Sequence, residues 1–254
     1  MKAPLQDKVS LITGGASGMG RAAALAFAEA GSKVVIADTD PSGGDETASL
    51  IKKAGGEVEF VPTDVTASSD VENMVHAVVD RFGRLDCAFN NAGIGGTMFV
   101  PMADYEEDIF DQVVDVNLKG TFLCMKCELP AMLANGSGAI VNMSSVAGLT
   151  GGPMGAAYYA SKHGVIGLTR SAAMEYATQG LRVNAVCPGW TETPLTDPVT
   201  RDDPERESFI LGMHPMGRLC TVEEVANAVV WLCSEGASYI NGHALPIEGG
   251  RLIR

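Results

Sequence analysis

The sequence of 254 residues predicts an α/β fold, in which a doubly wound parallel sheet carries helices on both faces. Short apolar strands alternate with helical patterns through most of the chain, and such repeated βα units imply right-handed crossovers. The strands are apolar throughout instead of at every second position, as parallel strands covered on both faces are. No repeat, linker or low-complexity segment divides the chain, so residues 1–254 are predicted to form a single domain.

The first predicted strand, residues 9–12, leads at once into glycines and then into an Ala-rich helix over residues 21–30. Glycine allows a backbone to approach a pyrophosphate closely, and a helix start offers free N–H groups and the positive end of the helix dipole. The glycines stand at Gly14, Gly18 and Gly20, a spacing that differs from the G-x-G-x-x-G pattern of dinucleotide-binding turns. By itself, the turn therefore fits either a phosphate cradle or a simple tight connection.

Further strands and helices alternate along the rest of the chain. Strands are predicted over residues 33–37, 57–61, 85–89, 139–143, 182–186 and 244–247. Helices are predicted over residues 45–54, 70–82, 105–133, 157–178 and 221–234. The long helical region 105–133 is expected to be kinked or interrupted near Gly120 and Pro130. Residues 190–213 are rich in Pro, Thr, Asp and Glu, and we predict that they form a mobile loop inserted over the site.

Composition and charge narrow the classes of function. The net charge is −13 and no run of Lys and Arg is present, so nucleic acid is not expected as a partner. The apolar runs are short and residues 1–8 contain no apolar segment, so we expect no membrane span and no secretion signal, and we predict a cytoplasmic location. The six cysteines are scattered, which is typical of reduced thiols in a large chain. Cys124 and Cys127 lie in a helical run without a second Cys/His pair nearby, so no metal site is expected.

Asp38 ends the second predicted strand, roughly 20 residues beyond the glycine turn, where dinucleotide-binding folds carry an acid. Such an acid accepts hydrogen bonds from the ribose hydroxyls of adenosine and repels a 2′-phosphate, which favours NAD over NADP. No Lys or Arg occurs at residues 15–17 or 39–41 to offset this repulsion. The alternative interpretation is a solvated Asp at a strand end.

Tyr158 and Lys162 are four residues apart in a predicted helix, so their side chains share a face. An ammonium beside a phenol favours the phenolate and moves its pKa toward the working pH, which suits a general acid/base. Tyr159 competes in principle, although its partner four residues on is His163, a weaker charge. Ser145 follows the fifth strand, where ligands bind in this fold, and its hydroxyl would meet the same substrate oxygen. The alternative is an exposed helical pair without a catalytic role.

Together these residues resemble the short-chain dehydrogenase/reductase family, in particular its classical subgroup, over nearly the whole chain. The motif residues, in chain order, are Thr13, Gly14, Gly18, Gly20, Asp64, Val65, Asn90, Asn91, Ala92, Gly93, Asn117, Ser145, Tyr158, Lys162, Pro188, Gly189 and Thr193. The resemblance implies a Rossmann fold, activity on an alcohol/carbonyl pair with NAD, and a homotetramer. The two long predicted helices support a homotetramer, because they hold more apolar residues than one sheet face would cover. Glu248 departs from the Asp that the family usually has.

The resemblance also implies a role for each site residue. Tyr158 would take the hydroxyl proton as hydride leaves, Lys162 would lower the pKa of that tyrosine and hold the nicotinamide ribose, and Ser145 would orient the substrate oxygen. Asn117 would hold a water in the proton relay and completes the catalytic set. The expected cofactor contacts are Gly14, Ser17, Gly18, Met19, Gly20, Asp38, Asp64, Val65, Asn91, Ala92, Gly93, Tyr158, Lys162, Pro188, Gly189, Thr191 and Thr193, with no metal.

The predicted substrate is a neutral, largely apolar secondary alcohol, cyclic or aryl-substituted, because the side chains expected around it are mostly small or apolar. They are Ile94, Gly95, Gly96, Val146, Met154, Trp190, Leu195, Phe209, Leu211 and Met213. A 3-oxoacyl thioester reductase is the alternative enzyme, although the NADPH that it usually takes conflicts with Asp38. A non-catalytic dinucleotide-binding protein conflicts with the intact catalytic set. A zinc alcohol dehydrogenase conflicts with the four histidines, which do not cluster with cysteines.

Overall fold

A computed structural model of the protein describes residues 3–197 and 204–253, and at its centre lies a seven-stranded parallel sheet. The strands are β1 (Val9–Thr13), β2 (Lys33–Asp38), β3 (Val58–Pro62), β4 (Cys87–Asn90), β5 (Gly138–Met143), β6 (Leu181–Pro188) and β7 (Ala244–Ile247). They lie in the order β3-β2-β1-β4-β5-β6-β7, and every neighbouring pair is parallel. The order reverses between β1 and β4, which is the point where doubly wound sheets bind ligands.

Helices cover both faces of this sheet, which confirms the predicted fold class. They are α1 (Gly18–Glu29), α2 (Pro41–Lys53), α3 (Ser68–Phe82), α4 (Glu107–Val114), α5 (Gly120–Asn135), α6 (Ala156–Tyr176), α7 (Pro204–Gly212) and α8 (Val222–Cys233). On one face, Phe27 of α1 and Val229 of α8 belong to the same buried cluster. On the other face, Met74 of α3 and Met132 of α5 are fully buried in a second cluster.

The long helix predicted over residues 105–133 is two helices joined by a π-helical turn. The turn covers Asp115–Lys119 and lies immediately before Gly120, while Pro130 stays inside α5 without ending it. The expected interruption is therefore confirmed near Gly120, whereas at Pro130 the helix is not interrupted and a kink stays a prediction. Single π turns are frequent at functional sites, and this one carries Asn117, whose side chain is buried.

The predicted loop over residues 190–213 is wrong in its second half, because Pro204–Gly212 is the helix α7. Residues 198–203 of that prediction lie outside the described part of the chain. The buried His214 joins the start of the segment to α7: its Nε2 lies 3.4 Å from the Trp190 backbone N–H, and its Nδ1 lies 2.9 Å from the Ile210 carbonyl. A neutral imidazole satisfies both contacts, with Nδ1 as donor and Nε2 as acceptor.

Candidate active site

A cavity of about 760 Å³ runs along the carboxyl ends of the strands, from the glycine turn after β1 to the segment after β6. Of the predicted site residues, only Gly20 and Asn117 do not line it. The predicted residues that line the cavity are Gly14, Ser17, Gly18, Met19, Asp38, Asp64, Val65, Asn91, Ala92, Gly93, Ser145, Tyr158, Lys162, Pro188, Gly189, Thr191 and Thr193. Segments that are far apart in the sequence therefore meet in one cleft at the switch point of the sheet.

The glycine turn is held against the segment that follows β4. Gly14 has a φ of 66°, and a Cβ there would lie 2.9 Å from the Ala92 Cα. The Asn91 amide donates to the carbonyls of Thr13 (3.0 Å) and Gly14 (3.2 Å), which fixes the turn. Because α1 then begins at Gly18, its free N–H groups face the cavity that Gly18 lines. The turn is thus shaped to accept a phosphate group.

Gly20 was predicted to contact the cofactor, and the structure gives it a different place. It lies inside α1 and does not line the cavity. A Cβ at this position would collide with the carbonyl of Gly14. Gly20 therefore allows the first turn of α1 to pack closely against the glycine turn. It supports the shape of that turn and does not itself face the cavity.

Asp38 stands at the far end of the cavity with its carboxylate fixed by the backbone. One oxygen accepts from the Ala16 N–H (2.9 Å) and the other from the Asp40 N–H (3.0 Å). Arg21 is a cation close to this segment that the sequence analysis missed. Its guanidinium donates to the Ala16 carbonyl and to Glu46, each at 2.6 Å, so its charge is already paired. The end of the cavity near β2 is consequently acidic.

Asp64 and Val65 line the same end of the cavity after β3. Asp64 Oδ1 accepts from the backbone N–H of Thr66 (2.9 Å) and from its hydroxyl (2.8 Å), which orders the turn. Val65 is buried, and a Cβ on Gly120 would lie 2.8 Å from the Val65 side chain. This packing explains why a glycine opens α5.

At the other end of the cavity, Tyr158 and Lys162 project from α6 toward Ser145, which follows β5. Tyr158 and Ser145 line the same end of the cavity, and the Ser145 hydroxyl acts to lower the pKa of the Tyr158 phenol. The ammonium of Lys162 is buried, donates to the Met143 carbonyl at 2.9 Å, and lies 5.5 Å from the centroid of the Tyr158 ring. Tyr159 points elsewhere, because its phenol oxygen lies against Gly152, where an added Cβ would collide with it. The phenol that meets the serine is therefore Tyr158.

The pKa values in this cluster differ from the sequence prediction. Burial raises the pKa of Tyr158, and the nearby Ser145 side chain acts in the opposite direction without overcoming it. Burial also lowers the pKa of Lys162 to about 8. Lys162 is not among the groups that shift the pKa of Tyr158 in this arrangement, so its lowering of that pKa stays a prediction.

Asn117 lies behind the cavity wall. Its Oδ1 accepts from the Ile94 N–H (2.8 Å), and its Nδ2 donates to the Ile94 carbonyl (2.9 Å) and to the Ser161 hydroxyl (3.3 Å). A Cβ on Gly93 would lie 3.1 Å from Asn117 Oδ1 and 3.5 Å from Lys162 Nζ. Gly93 therefore lets the asparagine and the lysine approach each other, and the water-holding role of Asn117 stays a prediction.

The side chains expected around the substrate divide into two groups. Those that line the main cavity are Ile94, Gly95, Val146, Met154, Trp190 and Leu195. The expectation is wrong for the others: Gly96 packs against Val113, Phe209 and Met213 line a separate small cavity, and Leu211 lines neither. Helix formation explains the second group, because the inward position of α7 is the buried Ile210, while Phe209 is 59% exposed.

Some lining residues carried no sequence signal. They are Met98, Gln112, Pro194 and Arg251. Arg251 belongs to the C-terminal tail, which matches no motif, so only the folded chain brings it to the cavity. Among residues 3–197 and 204–253, no three His, Cys, Asp or Glu side chains group as a metal site would require. No helix in the same ranges has the length and apolar composition needed to cross a membrane.

The chain is similar to known proteins over nearly its full length. A family model described as enoyl-(acyl carrier protein) reductase matches residues 14–251. The 2,5-dichloro-2,5-cyclohexadiene-1,4-diol dehydrogenase of Sphingobium indicum is 39% identical and covers 97% of each chain. The cyclohexanol dehydrogenase of an Acinetobacter species is also 39% identical and covers 98% of this chain and 96% of its own. The crystal structure of levodione reductase has a TM-score of 0.93 at 39% identity and covers 97% of this chain and 98% of its own.

Other relatives differ in cofactor and in the reaction for which they are named. Carveol dehydrogenase from Mycobacterium avium was solved with NAD (29% identity, TM-score 0.94, covering 99% of this chain and 100% of its own). A structure from Agrobacterium tumefaciens holds NADP (36% identity, TM-score 0.91, covering 100% of this chain and 99% of its own). A 3-oxoacyl-[acyl-carrier-protein] reductase of Thermotoga maritima is 40% identical and covers 98% of this chain and 99% of its own. With the family model, these relatives and the cavity all in agreement, the protein is a nicotinamide-dependent oxidoreductase that belongs to the short-chain dehydrogenase/reductase family.

Proposed function

We propose that this enzyme oxidises a neutral, largely apolar cyclic secondary alcohol to its ketone with NAD, and that residues 1–254 act as one catalytic domain. The observation that carries the proposal is that Tyr158, Ser145 and Lys162 line one end of a cavity whose other end holds the fixed carboxylate of Asp38. One cleft thus offers an acid/base pair for an alcohol and an acidic contact for an adenosine ribose.

NAD is the proposed cofactor because the residues of the cavity fit it better than they fit NADP. The glycine turn leaves room for a pyrophosphate, since a Cβ on Gly14 would fill that room. Both oxygens of Asp38 are held by backbone N–H groups, so the carboxylate stays where a 2′-phosphate would bring a like charge. The paired guanidinium of Arg21 is not free to offset that repulsion.

In the proposed reaction, the bound nicotinamide supplies the hydride acceptor. Ser145 and Tyr158 hold the substrate oxygen between them, and the phenolate of Tyr158 accepts the hydroxyl proton. Lys162 is fixed by the Met143 carbonyl at the wall of the cavity, where it would hold the nicotinamide ribose. Because burial raises the pKa of Tyr158, alcohol oxidation should accelerate as the pH rises and ketone reduction should favour lower pH.

The lining of the cavity supports an apolar ring as substrate. Ile94, Val146, Met154, Trp190 and Leu195 offer aliphatic and aromatic surface near the Tyr158 end. Phosphate or coenzyme A groups are normally held by clusters of Arg and Lys, whereas Lys162 and Arg251 are the basic residues among the described lining. Relatives named for a cyclohexadiene diol and for cyclohexanol agree with a ring alcohol.

We also propose that the enzyme is a cytoplasmic homotetramer. The two long predicted helices hold more apolar residues than one sheet face would cover, and some of these side chains are exposed in the structure. Phe122 of α5 is 47% exposed and Met174 of α6 is 84% exposed. Covering such side chains with a second copy would remove apolar surface from water. Cys87 and Cys233 are buried free thiols in one core cluster and are not joined in a disulfide, which suits a reducing compartment. Light scattering at micromolar concentration should give four times the chain mass; a monomer would refute the tetramer.

The function is tested by following NADH at 340 nm with a panel of alcohols and with both cofactors. Efficiency with NAD should rise from 2-propanol to cyclohexanol and on to bulkier ring alcohols, by about fourfold for each methylene that becomes buried. Tyr158→Phe is the matched control, because it removes the phenol hydroxyl and keeps the ring. A best activity with a 3-oxoacyl thioester or a phosphorylated sugar would overturn the proposed substrate, and activity of Tyr158→Phe would overturn the proposed base.

A further inference from the structure

Arg251 is a basic side chain at the edge of the substrate end of the cavity, and the mechanism above does not use it. It lines both the main cavity and the small cavity beside Phe209 and Met213, so it stands where the tail meets α7. Its charge acts on Tyr159: burial raises the pKa of that phenol, and Arg251 lowers it in part. Arg251 is not among the groups that influence Tyr158.

The tail that carries Arg251 is docked and ordered by several hydrogen bonds. The Met216 N–H donates to the Gly249 carbonyl at 3.2 Å, and the Arg251 N–H donates to the Glu248 carbonyl at 3.2 Å. The Glu248 carboxylate accepts from the Leu252 N–H at 2.9 Å, which closes the turn. Arg251 thus occupies a defined place against the body of the protein.

The guanidinium has donors available. Arg251 forms no ion pair with a carboxylate anywhere in the described ranges. An arginine stays charged at all working pH values and only donates hydrogen bonds, so a ligand group that meets it must be an acceptor. The surrounding wall is otherwise mostly apolar, with Met154 and Leu195 on the same cavity.

We infer that Arg251 is a specificity-determining residue that binds a second oxygen on a ring substrate, on the side away from the hydroxyl that reacts. The inference rests on the proposed function and narrows the substrate class to ring alcohols with a further hydroxyl or keto group. A neutral oxygen suits the site better than a carboxylate, because Glu248 brings a negative charge to the same turn and packs against Gly189 of the cavity wall.

The test compares cyclohexanol with cyclohexane-1,4-diol, which differ only in the second oxygen. Arg251→Met should lower the ratio of kcat/KM for the diol to that for cyclohexanol by about ten- to hundred-fold, the range for a hydrogen bond to a charged group. The loss should appear mainly in KM, because the contact is made equally in the ground state and in the transition state. Arg251→Lys should restore part of the ratio. The control Ile253→Ala, at a side chain that is 86% exposed on the same tail, should keep the full ratio.

Three results would overturn the inference. An equal loss for both substrates would mean that Arg251 only docks the tail, and no loss would mean that it does not reach the ligand. If 4-hydroxycyclohexanecarboxylate were preferred over the diol, and Arg251→Met abolished that preference, Arg251 would bind an anion instead of a neutral oxygen.

Binding measurements separate this inference from the proposed function. Calorimetry with Tyr158→Phe and NAD records diol affinity without turnover, and Arg251→Met in that background should weaken it at least tenfold. If the unmodified enzyme does not oxidise cyclohexanol, the proposed function fails, and the calorimetric comparison still decides the role of Arg251. Absence of diol binding in that comparison would refute the role.

Discussion

Glu128 is a buried carboxyl group whose ionisation should make the stability of the protein depend on pH. It belongs to α5, is 0% exposed, and accepts a hydrogen bond from Asn90 Nδ2 at 3.0 Å. Its Oε1 and the Oδ1 of Asn90 have no hydrogen-bond partner among the described residues. Burial raises the pKa of Glu128 from 4.5 to about 7, and the bond from Asn90 acts in the opposite direction.

The loss in the free energy of unfolding when Glu128 ionises follows from the difference between its pKa values in the folded and unfolded states. Because the pKa in the folded state is the higher one, the folded chain holds its proton more tightly than the unfolded chain between about pH 4.5 and pH 7. The protonated carboxyl is therefore compatible with the fold at low pH, and stability is lost as the pH rises through 7. A difference of about 2.5 pKa units at 1.36 kcal/mol per unit gives roughly 3 kcal/mol at pH 8.5.

Glu128→Gln removes this ionisation and keeps the shape of the side chain. The amide retains an acceptor for Asn90 Nδ2 and replaces the unpartnered Oε1 by an uncharged N–H donor group. At pH 8.5 the variant should melt roughly 6 to 12 °C higher than the unmodified protein, since 1 kcal/mol corresponds to about 2–4 °C at this size. At pH 4.5 the gain should almost vanish.

Scanning calorimetry at both pH values and one scan rate measures the effect. Glu107→Gln, at an exposed position in the first turn of α4, is the control and should show no pH-dependent gain. Burial raises the pKa values of the Cys124 and Cys127 thiols, and the charge of Glu128 raises them further. A Cys124→Ser background separates the titration of the buried thiol from that of the carboxyl. The same melting difference at both pH values, or a Gln variant that is less stable at pH 8.5, would refute the reasoning.

Three further predictions concern the site. NAD should bind at least tenfold better than NADP, and Asp38→Ala should narrow the gap, because the carboxylate that opposes a 2′-phosphate is removed; equal kcat/KM with both cofactors in the unmodified enzyme would contradict this. Tyr158→Phe should abolish turnover while NAD affinity, measured by fluorescence titration, stays within a few-fold, whereas Lys162→Ala should lose both; near-normal turnover of Tyr158→Phe would move the base elsewhere. Gly20→Ala should weaken NAD binding and lower the melting temperature together, because the new Cβ collides with the Gly14 carbonyl; unchanged affinity would show that α1 shifts without disturbing the glycine turn.

Local patterns were sufficient for most of the fold. The strand predicted over residues 33–37 is Lys33–Asp38, and the helix predicted over residues 70–82 is Ser68–Phe82 and ends at Gly83 with a φ of 78°. Such elements are visible in a sequence because apolar runs, helical periodicity and terminal glycines each reflect interactions between near neighbours. The glycine turn after β1 was predictable for the same reason.

Sequence patterns were less informative where a segment has mixed composition. The Pro-, Thr- and acid-rich run before His214 has the composition of a loop, yet Pro204–Gly212 is helical and buries Ile210. The region around Asn117 has helical periodicity, which does not distinguish an α turn from a π turn. In both cases packing against distant segments decides the local backbone, and a single sequence does not record that packing.

By itself, the sequence determined the doubly wound sheet, the family and the set of residues that meet at the carboxyl ends of the strands, because these follow from short-range patterns and from motifs in a given order. Only the tertiary structure decided what those residues do to one another. It directed the Lys162 ammonium to the Met143 carbonyl, buried Tyr158 enough to raise its pKa, and placed Gly20 against the glycine turn. It also brought the tail residue Arg251 to the edge of the cavity. Desolvation and contact between segments far apart in the chain depend on the folded shape, and for that reason neither was visible before the structure.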